Sequence, residues 1–285
     1  WLESRSVPVV MYALVHAGGD KADPTFQAGL EWIATKQPDG TYNASLMALA
    51  LGDFDPAKYR ARLTELAQLL TDQQCTNGQW SYGGPGTSTR TAPGGNSEPP
   101  PSEETGPGGG TTKAKVKIPI AWHDGPRGTA GDNSNTQFAI LGLRATMEAG
   151  CEMPKQVWER SLDWFIKAQE QPYGGWGYGM GGAYWSMTCC GTTSVTICMH
   201  ALGQDEAFRN GKPLDVERVK NGVDWLDQHW MQMDARFGAR GGGGFGMYYD
   251  LYSIERVGMI VGLEKIGEHD WYSEGCSLLL GQQSK

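Results

Sequence analysis

Gln74-Cys75-Thr76-Asn77-Gly78-Gln79-Trp80 decides the fold, because its pattern recurs along the chain. A helix carrying Leu66 leads into it. The pattern returns as Leu30-Glu31-Trp32-Ile33 running to Gln37 and Gly40-Thr41-Tyr42, and as Trp164-Phe165-Ile166 running to Gln169 and Gly174-Gly175-Trp176. Trp225-Leu226 leads to Gln228 and Gly243-Gly244-Phe245, and Trp271-Tyr272 leads to Leu278-Leu279-Leu280-Gly281-Gln282, where the last copy stops before its glycine and ring. Repetition at tens of residues means stacked supersecondary units, each unable to bury its apolar face alone. The expectation is one all-α domain over residues 1–285.

Gln37, Gln74, Gln169, Gln228 and Gln282 sit where a helix leaves its last carbonyls without partners. An amide side chain there can bond those carbonyls while glycine turns the chain. The rings of Trp80, Trp176 and Phe245 then cover a neighbour's helix end. Stability alone accounts for these residues, so they are read as structural.

Between the motif helices lie segments of a different character. Val9 to His16, Ala44 to Leu51, Asn135 to Thr146, Met187 to Leu202 and Leu251 to Ile266 are rich in Ala, Gly, Ser, Thr, Cys and Met. A helix small or apolar on most of its circumference is enclosed on most sides. The motif helices carry more charge, as at Arg60, Arg62, Glu65, Glu159, Arg160 and Lys167. Two concentric helical layers are the simplest packing. A Gly/Pro/Ser/Thr-rich stretch at about 83–115 cannot bury enough apolar area to fold alone and reads as a long excursion. A second glycine run, Gly241 to Gly246, lacks a preceding strand and a following Lys-Ser/Thr, so it is no phosphate loop.

A chain of 285 residues buries about 70% of its unfolded surface, enough for one core without staples. Its net charge of −8 and its lack of aromatic-interleaved basic clusters speak against nucleic-acid binding. No apolar run approaches the length needed to span a bilayer, so no transmembrane segment is expected. The compartment stays open: a removed signal would place the chain in a bacterial periplasm or outside the cell, and otherwise in the cytoplasm. The six cysteines, at 75, 151, 189, 190, 198 and 276, lack C-x-x-C spacing. They read as small buried residues, with no metal expected at Cys189, Cys190, Cys198 and His200.

The Gln-x-x-x-Gly-x-Trp phrase of Gln74 to Trp80, the aromatic outer helices and the small-residue inner helices resemble the repeat of the squalene–hopene cyclase and protein prenyltransferase superfamily. Gly131-Asp132-Asn133-Ser134-Asn135-Thr136-Gln137-Phe138-Ala139 and Tyr252-Ser253-Ile254-Glu255-Arg256-Val257-Gly258 look like a bacterial, cyclase-like branch of it. The resemblance covers nearly the whole chain apart from the excursion. It implies an α–α toroid, two rings of helices around a central cavity, which typically closes with six hairpins where five are visible here.

The chemistry of that superfamily does not follow from these residues. Class II cyclases protonate substrate with Asp-x-Asp-Asp, and Asp53-Phe54-Asp55-Pro56 lacks the adjacent pair. The Asp-Asp-x-x-Asp diphosphate motif is missing. The glycine-rich approach that leads to a zinc cysteine in prenyltransferases leads here to Tyr249-Asp250-Leu251-Tyr252. Gly-Cys-Gly-Glu-Gln of the thioester relatives is also missing. No cofactor is expected.

Candidate cavity residues are polar and aromatic groups at the starts of inner helices, where backbone N–H groups and the positive dipole end meet the centre. Asp132, Asn133, Asn135 and Gln137 form one set, with Asp132 or Asn133, whichever precedes the first turn, reading first as a helix cap. Tyr184, Trp185, Ser186 and Thr188 form a second, and Tyr248, Tyr249, Asp250 and Tyr252 a third. Both aromatic sets read as core before they read as ligand platform. Glu255 and Arg256, on a helix suited to burial, read as an ion pair costly to leave unpaired. His123 beside Asp124 is a loop candidate for acid, base or ligand, against a structural hydrogen bond.

Three functions remain in view. The leading expectation is a binding or assembly scaffold for a hydrophobic small molecule in the central cavity, or for a protein partner or second copy. An isoprenoid cyclase or transferase would instead need a dry chamber with one acid of raised pKa. A carbohydrate-active enzyme would need an open groove with two carboxylates about 5 to 10 Å apart.

Overall fold

The structure, a computed structural model, describes residues 6–83, 117–124, 127–230 and 245–283. The expected excursion at 83–115 lies almost wholly outside the described residues, as do Gly241 to Gly244 and the side chain of Phe245. The protein is all-α. Among the described residues it has eleven α-helices: α1 Val7–His16, α2 Pro24–Thr35, α3 Thr41–Phe54, α4 Arg60–Gln73, α5 Asn133–Glu148, α6 Lys155–Ala168, α7 Trp185–Ala201, α8 Glu206–Arg209, α9 Glu217–Gln228, α10 Phe245–Val257 and α11 Trp271–Gln282. One small parallel pairing, β1 (Ile118–Pro119) with β2 (Cys151–Glu152), joins the segment before α5 to the turn after it.

Two sets of helices alternate along the chain. α1 packs on α3, α3 on α5, α5 on α7 and α7 on α10. The motif helices cover this inner series: α2 and α4 pack on α3, α6 and α9 on α7, and α11 on α10. α3, α5 and α7 are buried on most of their circumference, with Ala44 through Leu51 and Trp185 through Cys198 all enclosed, whereas α1 and α10, at the ends of the series, leave a face open at Val9 and Tyr248, contrary to the enclosure expected of Val9 to His16. The motif helix α6 buries one stripe, Val157, Trp158, Ser161, Phe165 and Ala168, as helical periodicity requires of a half-covered element.

Small residues set the approach of inner helices. A Cβ at Gly142 would lie 2.8 Å from the Ser45 Cα, so α5 meets α3 nearly backbone to backbone. Several inner hydroxyls return to their own helix. Ser45, Thr192, Thr196 and Ser253 donate to carbonyls four residues back, which satisfies them without a partner helix. The two ends of the inner series also touch, through Arg256 Nη1 of α10 donating to the Tyr12 hydroxyl of α1 at 3.3 Å.

The motif works as a joint between successive units. Gln74 Nε2 lies 2.9 Å from the Val157 carbonyl and 3.1 Å from Ser161 Oγ, both on α6, and 3.2 Å from the Gly78 carbonyl of its own turn. Gln169 repeats this, with Nε2 donating to the Arg218 carbonyl on α9 at 2.9 Å and to Gly174 at 2.8 Å. The glutamine therefore ties its unit to the next one rather than closing its own helix as expected from sequence. Closure belongs to tryptophan: Trp80 Nε1 donates to Leu70 O and Trp176 Nε1 to Phe165 O, at 2.7 and 2.8 Å. Both indoles are 0% exposed, each worth about 2–3 kcal/mol of apolar burial.

Glycine completes the joint. Gly78 and Gly174 hold φ of +91° and +86°, and a Cβ on either would sit 2.2 Å from Arg160 O or 2.5 Å from Asn221 O on the next helix. Outside these two copies the pattern loosens. Gln37 and Gln228 are exposed. After α2 the joint runs in reverse, with Arg62 of α4 donating to Lys36 O. After α9 the bridge is Trp230, whose Nε1 donates to Glu274 Oε2 of α11 at 2.6 Å. In the last copy the residue in register is Gln283, not Gln282: its φ and ψ of −67° and 119° match −60° and 127° at Gln74 and −65° and 123° at Gln169.

Candidate functional site

The first turns of α3, α5 and α10 meet at one end of the inner series. There the Tyr249 hydroxyl lies 3.1 Å from Ser134 Oγ and donates to Gln137 Oε1 at 3.4 Å. The Tyr42 hydroxyl neighbours both Ser134 and Tyr249, and its ring packs on Phe138 with centroids 3.9 Å apart. Phe138 stacks in turn on Tyr252 at 5.9 Å, and the Arg256 guanidinium lies over the Tyr252 ring at 5.3 Å. Arg256 pairs with Glu255 and reaches Tyr12. Four inner helices thus contribute to one cluster of rings and hydroxyls.

The cluster is electrically quiet. Burial, reinforced by Tyr42 and Cys190, holds the Tyr249 phenol well above its ordinary value, and burial does the same for Tyr42, Tyr252 and Tyr12. Burial by itself would lower Arg256, but Tyr12, Tyr252 and Glu255 raise it. At neutral pH the phenols are therefore neutral donors and the guanidinium is charged. Gln137 Nε2 is buried here without a hydrogen-bond partner, while the Tyr252 hydroxyl, also buried, faces the Tyr12 hydroxyl. Leaving such a group unpaired costs about 1–3 kcal/mol, so the site has a donor to offer.

The first sequence set divides. Asp132 is the N-cap of α5, accepting from Asn135 N at 2.8 Å and Asn135 Nδ2 at 2.9 Å. Asn133 is a joint residue: its Oδ1 accepts from Gln79 Nε2 and Trp164 Nε1, and its Nδ2 donates to Gly177 O. Asn135 is fully buried against its cap and keeps Oδ1 unpartnered. Gln137 alone of that set enters the phenol cluster.

Tyr184 and Trp185 serve the motif. The Tyr184 N–H donates to Trp176 O at 3.1 Å, and Trp185 meets Trp230 edge to face at 5.4 Å. In the third set Tyr249 and Tyr252 face the cluster, while Tyr248 is exposed. Asp250 is buried against α7, where its charge adds to burial in raising the Cys189 thiol. His123 belongs elsewhere: its Nδ1 lies 3.0 Å from Asp72 Oδ1 and 3.3 Å from Gln68 Nε2, pinning the 117–124 segment to α4. Sequence reasoning did not find Tyr12, Tyr42, Ser134 or Phe138. Tyr42 was in view as a motif ring, but copy one places it in the first turn of α3 rather than in the loop.

A second feature lies nearby at the surface. The Tyr82 and Tyr178 hydroxyls meet at 3.0 Å, each two residues beyond a motif tryptophan, and burial, Tyr82 and Asp132 push the Tyr178 phenol up. Their carbonyls accept from Thr41 N and Asn133 N, the first amides of α3 and α5. Among the described residues no group of three or more His, Cys, Asp or Glu side chains is arranged to hold a metal ion, and no helix is long and apolar enough to cross a membrane. No family model matches this chain, and no curated protein and no solved structure matches it either.

Proposed function

We propose that the chain forms an α–α toroid of the squalene–hopene cyclase and prenyltransferase kind, and that it binds a mostly apolar small molecule without the chemistry of those enzymes. The alternation of enclosed and half-covered helices, and the contact of Arg256 with Tyr12 between the two ends of the inner series, support the ring. The observation that carries the binding reading is the unpartnered buried donor Gln137 Nε2, set among Tyr42, Phe138 and Tyr249. Aromatic rings take the body of such a ligand and the donor takes one carbonyl, hydroxyl or ether oxygen.

Catalysis by protonation needs a carboxylic acid held neutral at the substrate. The carboxylates nearest this cluster are otherwise engaged, Asp53 with His16 and Glu255 with Arg256. That favours retention of a ligand over its conversion.

Native mass spectrometry of the purified protein, followed by organic extraction, tests the reading. The expected outcome is a retained stoichiometric small molecule, or stabilisation by farnesol or geranylgeraniol, that Gln137→Leu weakens at least tenfold while the helical spectrum persists. An empty chain that neither prenyl alcohol stabilises, or a ligand indifferent to Gln137→Leu and Tyr252→Phe, overturns it.

A further inference from the structure

The Gln137 amide is held at one end and open at the other. Gln137 is 0% exposed, while Tyr42, Ser134 and Tyr249 are only half-buried, so the amide forms the inner end of the cluster. An amide has one oxygen that accepts and one nitrogen that only donates. Here the oxygen is taken: the Tyr249 hydroxyl donates to Gln137 Oε1 at 3.4 Å, and that hydroxyl lies 3.1 Å from Ser134 Oγ. Gln137 Nε2 is left without a partner. What the amide offers to the site is therefore hydrogens and no lone pair.

Tyr249 decides that orientation. Turned over, the amide would set Nε2 against the phenol and present Oε1 instead, but a phenol donates more readily than it accepts, and burial keeps this one protonated. The surroundings then select among ligand oxygens. Arg256, the cation of the cluster, is matched by Glu255, so an anionic group would be buried without a counter-charge and its desolvation would go unrepaid. An alcohol oxygen can accept from Nε2, yet it brings an O–H of its own. The oxygens that could receive it are engaged: Gln137 Oε1 by Tyr249, the Glu255 carboxylate by Arg256, and the Tyr42, Ser134 and Tyr249 hydroxyls by one another. An unpaired buried donor weakens binding by a factor of about 5 to about 150. A carbonyl oxygen accepts and brings no proton.

On the binding reading above, we propose that Tyr249 is a positioning residue that locks the Gln137 amide with its N–H groups toward the ligand, and that the polar group of the ligand is an uncharged carbonyl, the oxygen of a ketone, ester or quinone, in preference to an alcohol or an anion. Specificity then resides in one hydroxyl that does not itself meet the ligand oxygen. The Tyr249 O–H sets which end of the amide is free, and the free end sets the class of oxygen that the site accepts.

Equilibrium dialysis of the purified protein at neutral pH against geranylacetone, the secondary alcohol made by reducing it, and geranyl diphosphate compares the three polar groups on closely matched chains. The ketone binds at least about tenfold tighter than the alcohol, within the range set by one unpaired hydroxyl, and the diphosphate binds weakest. In Tyr249→Phe, with the circular dichroism unchanged, the amide is free to turn over. The alcohol then gains affinity, and the two probes come within about twofold of each other. A loss of packing alone would weaken both and leave their ratio as it was. An alcohol or a diphosphate that binds the unaltered chain as tightly as the ketone overturns the proposal while the binding reading stands, and so does a ratio that survives Tyr249→Phe. Failure of all three to bind overturns the proposal and, where no molecule is retained on purification, the binding reading with it.

Discussion

Replacing Gln74 by alanine tests whether the motif glutamine is a joint between units. Its amide has two N–H groups and three acceptors within reach, Gly78 O, Val157 O and Ser161 Oγ, so it makes two good bonds at a time. At about 1 kcal/mol net for each bond and about 0.8 kcal/mol for the one buried methylene that alanine lacks, Gln74→Ala costs about 3 kcal/mol. Gln74→Met keeps the methylenes and costs about 2 kcal/mol. The same change at Gln37 or Gln228, both exposed, stays within about 0.5 kcal/mol. Urea unfolding followed by circular dichroism gives all four values under one condition. Because Gln74 holds the first turns of α6, hydrogen exchange in α6 should accelerate before that in α2. The reasoning fails if Gln74→Ala costs under 1 kcal/mol, or if Gln37→Ala costs as much as Gln74→Ala.

Two further outcomes follow from the same geometry. Gly78→Ala and Gly174→Ala each force a Cβ to 2.2 or 2.5 Å from a carbonyl oxygen of the next helix, at positive φ, and each should lower stability by more than about 2 kcal/mol. Half-buried Gly179→Ala, whose Cβ meets nothing within 4 Å, is the matching control in thermal melts, and equal shifts for all three would end the argument. On the alkaline side, burial raises the thiols of Cys189, Cys190 and Cys198 above their ordinary 9.0. A group whose folded pKa is raised contributes fully below its unfolded pKa and loses that contribution as pH rises above it. Three thiols give a slope of about 4 kcal/mol per pH unit above about pH 9, steepening near 10 as Tyr249 and Tyr252 begin to count. Urea midpoints under reducing conditions that agree at pH 7 and pH 10 would contradict this.

The alternation of helix types was legible because composition reports enclosure directly. Ala44 to Leu51 and Met187 to Cys198 carry no charged side chain, and both are buried on all sides. The direction of the motif's hydrogen bonds was not legible, because Gln74 and Val157 are 83 residues apart and no local rule pairs them. Nor could the sequence show that the bridge after α9 is an indole, since Trp230 follows the expected Gln228 by two residues and performs the task with different chemistry. The candidate site was half visible. Gln137, Tyr249, Tyr252 and Arg256 announce themselves as polar or aromatic groups on helices that are otherwise small and apolar. Tyr42 and Tyr12 come from other units, and only the packing of α1, α3, α5 and α10 brings them in.

The division of labour between motif and helix end has a functional consequence. In the two interior copies the joint absorbs the glutamine, the glycine and the indole, and it also consumes Asp132 and Asn133 at the start of α5. What it leaves uncommitted is the next turn inward, where Ser134, Gln137 and Phe138 face Tyr42 and Tyr249. Those positions can vary without loosening the array, because stability resides in the joints and in the apolar faces that they align. A binding surface assembled from one turn of each of several helices can thus change its ligand by single substitutions while the scaffold keeps its geometry. On the proposed binding reading, the unpartnered Gln137 Nε2 costs stability in the empty protein, and a ligand oxygen is the partner that would repay its desolvation.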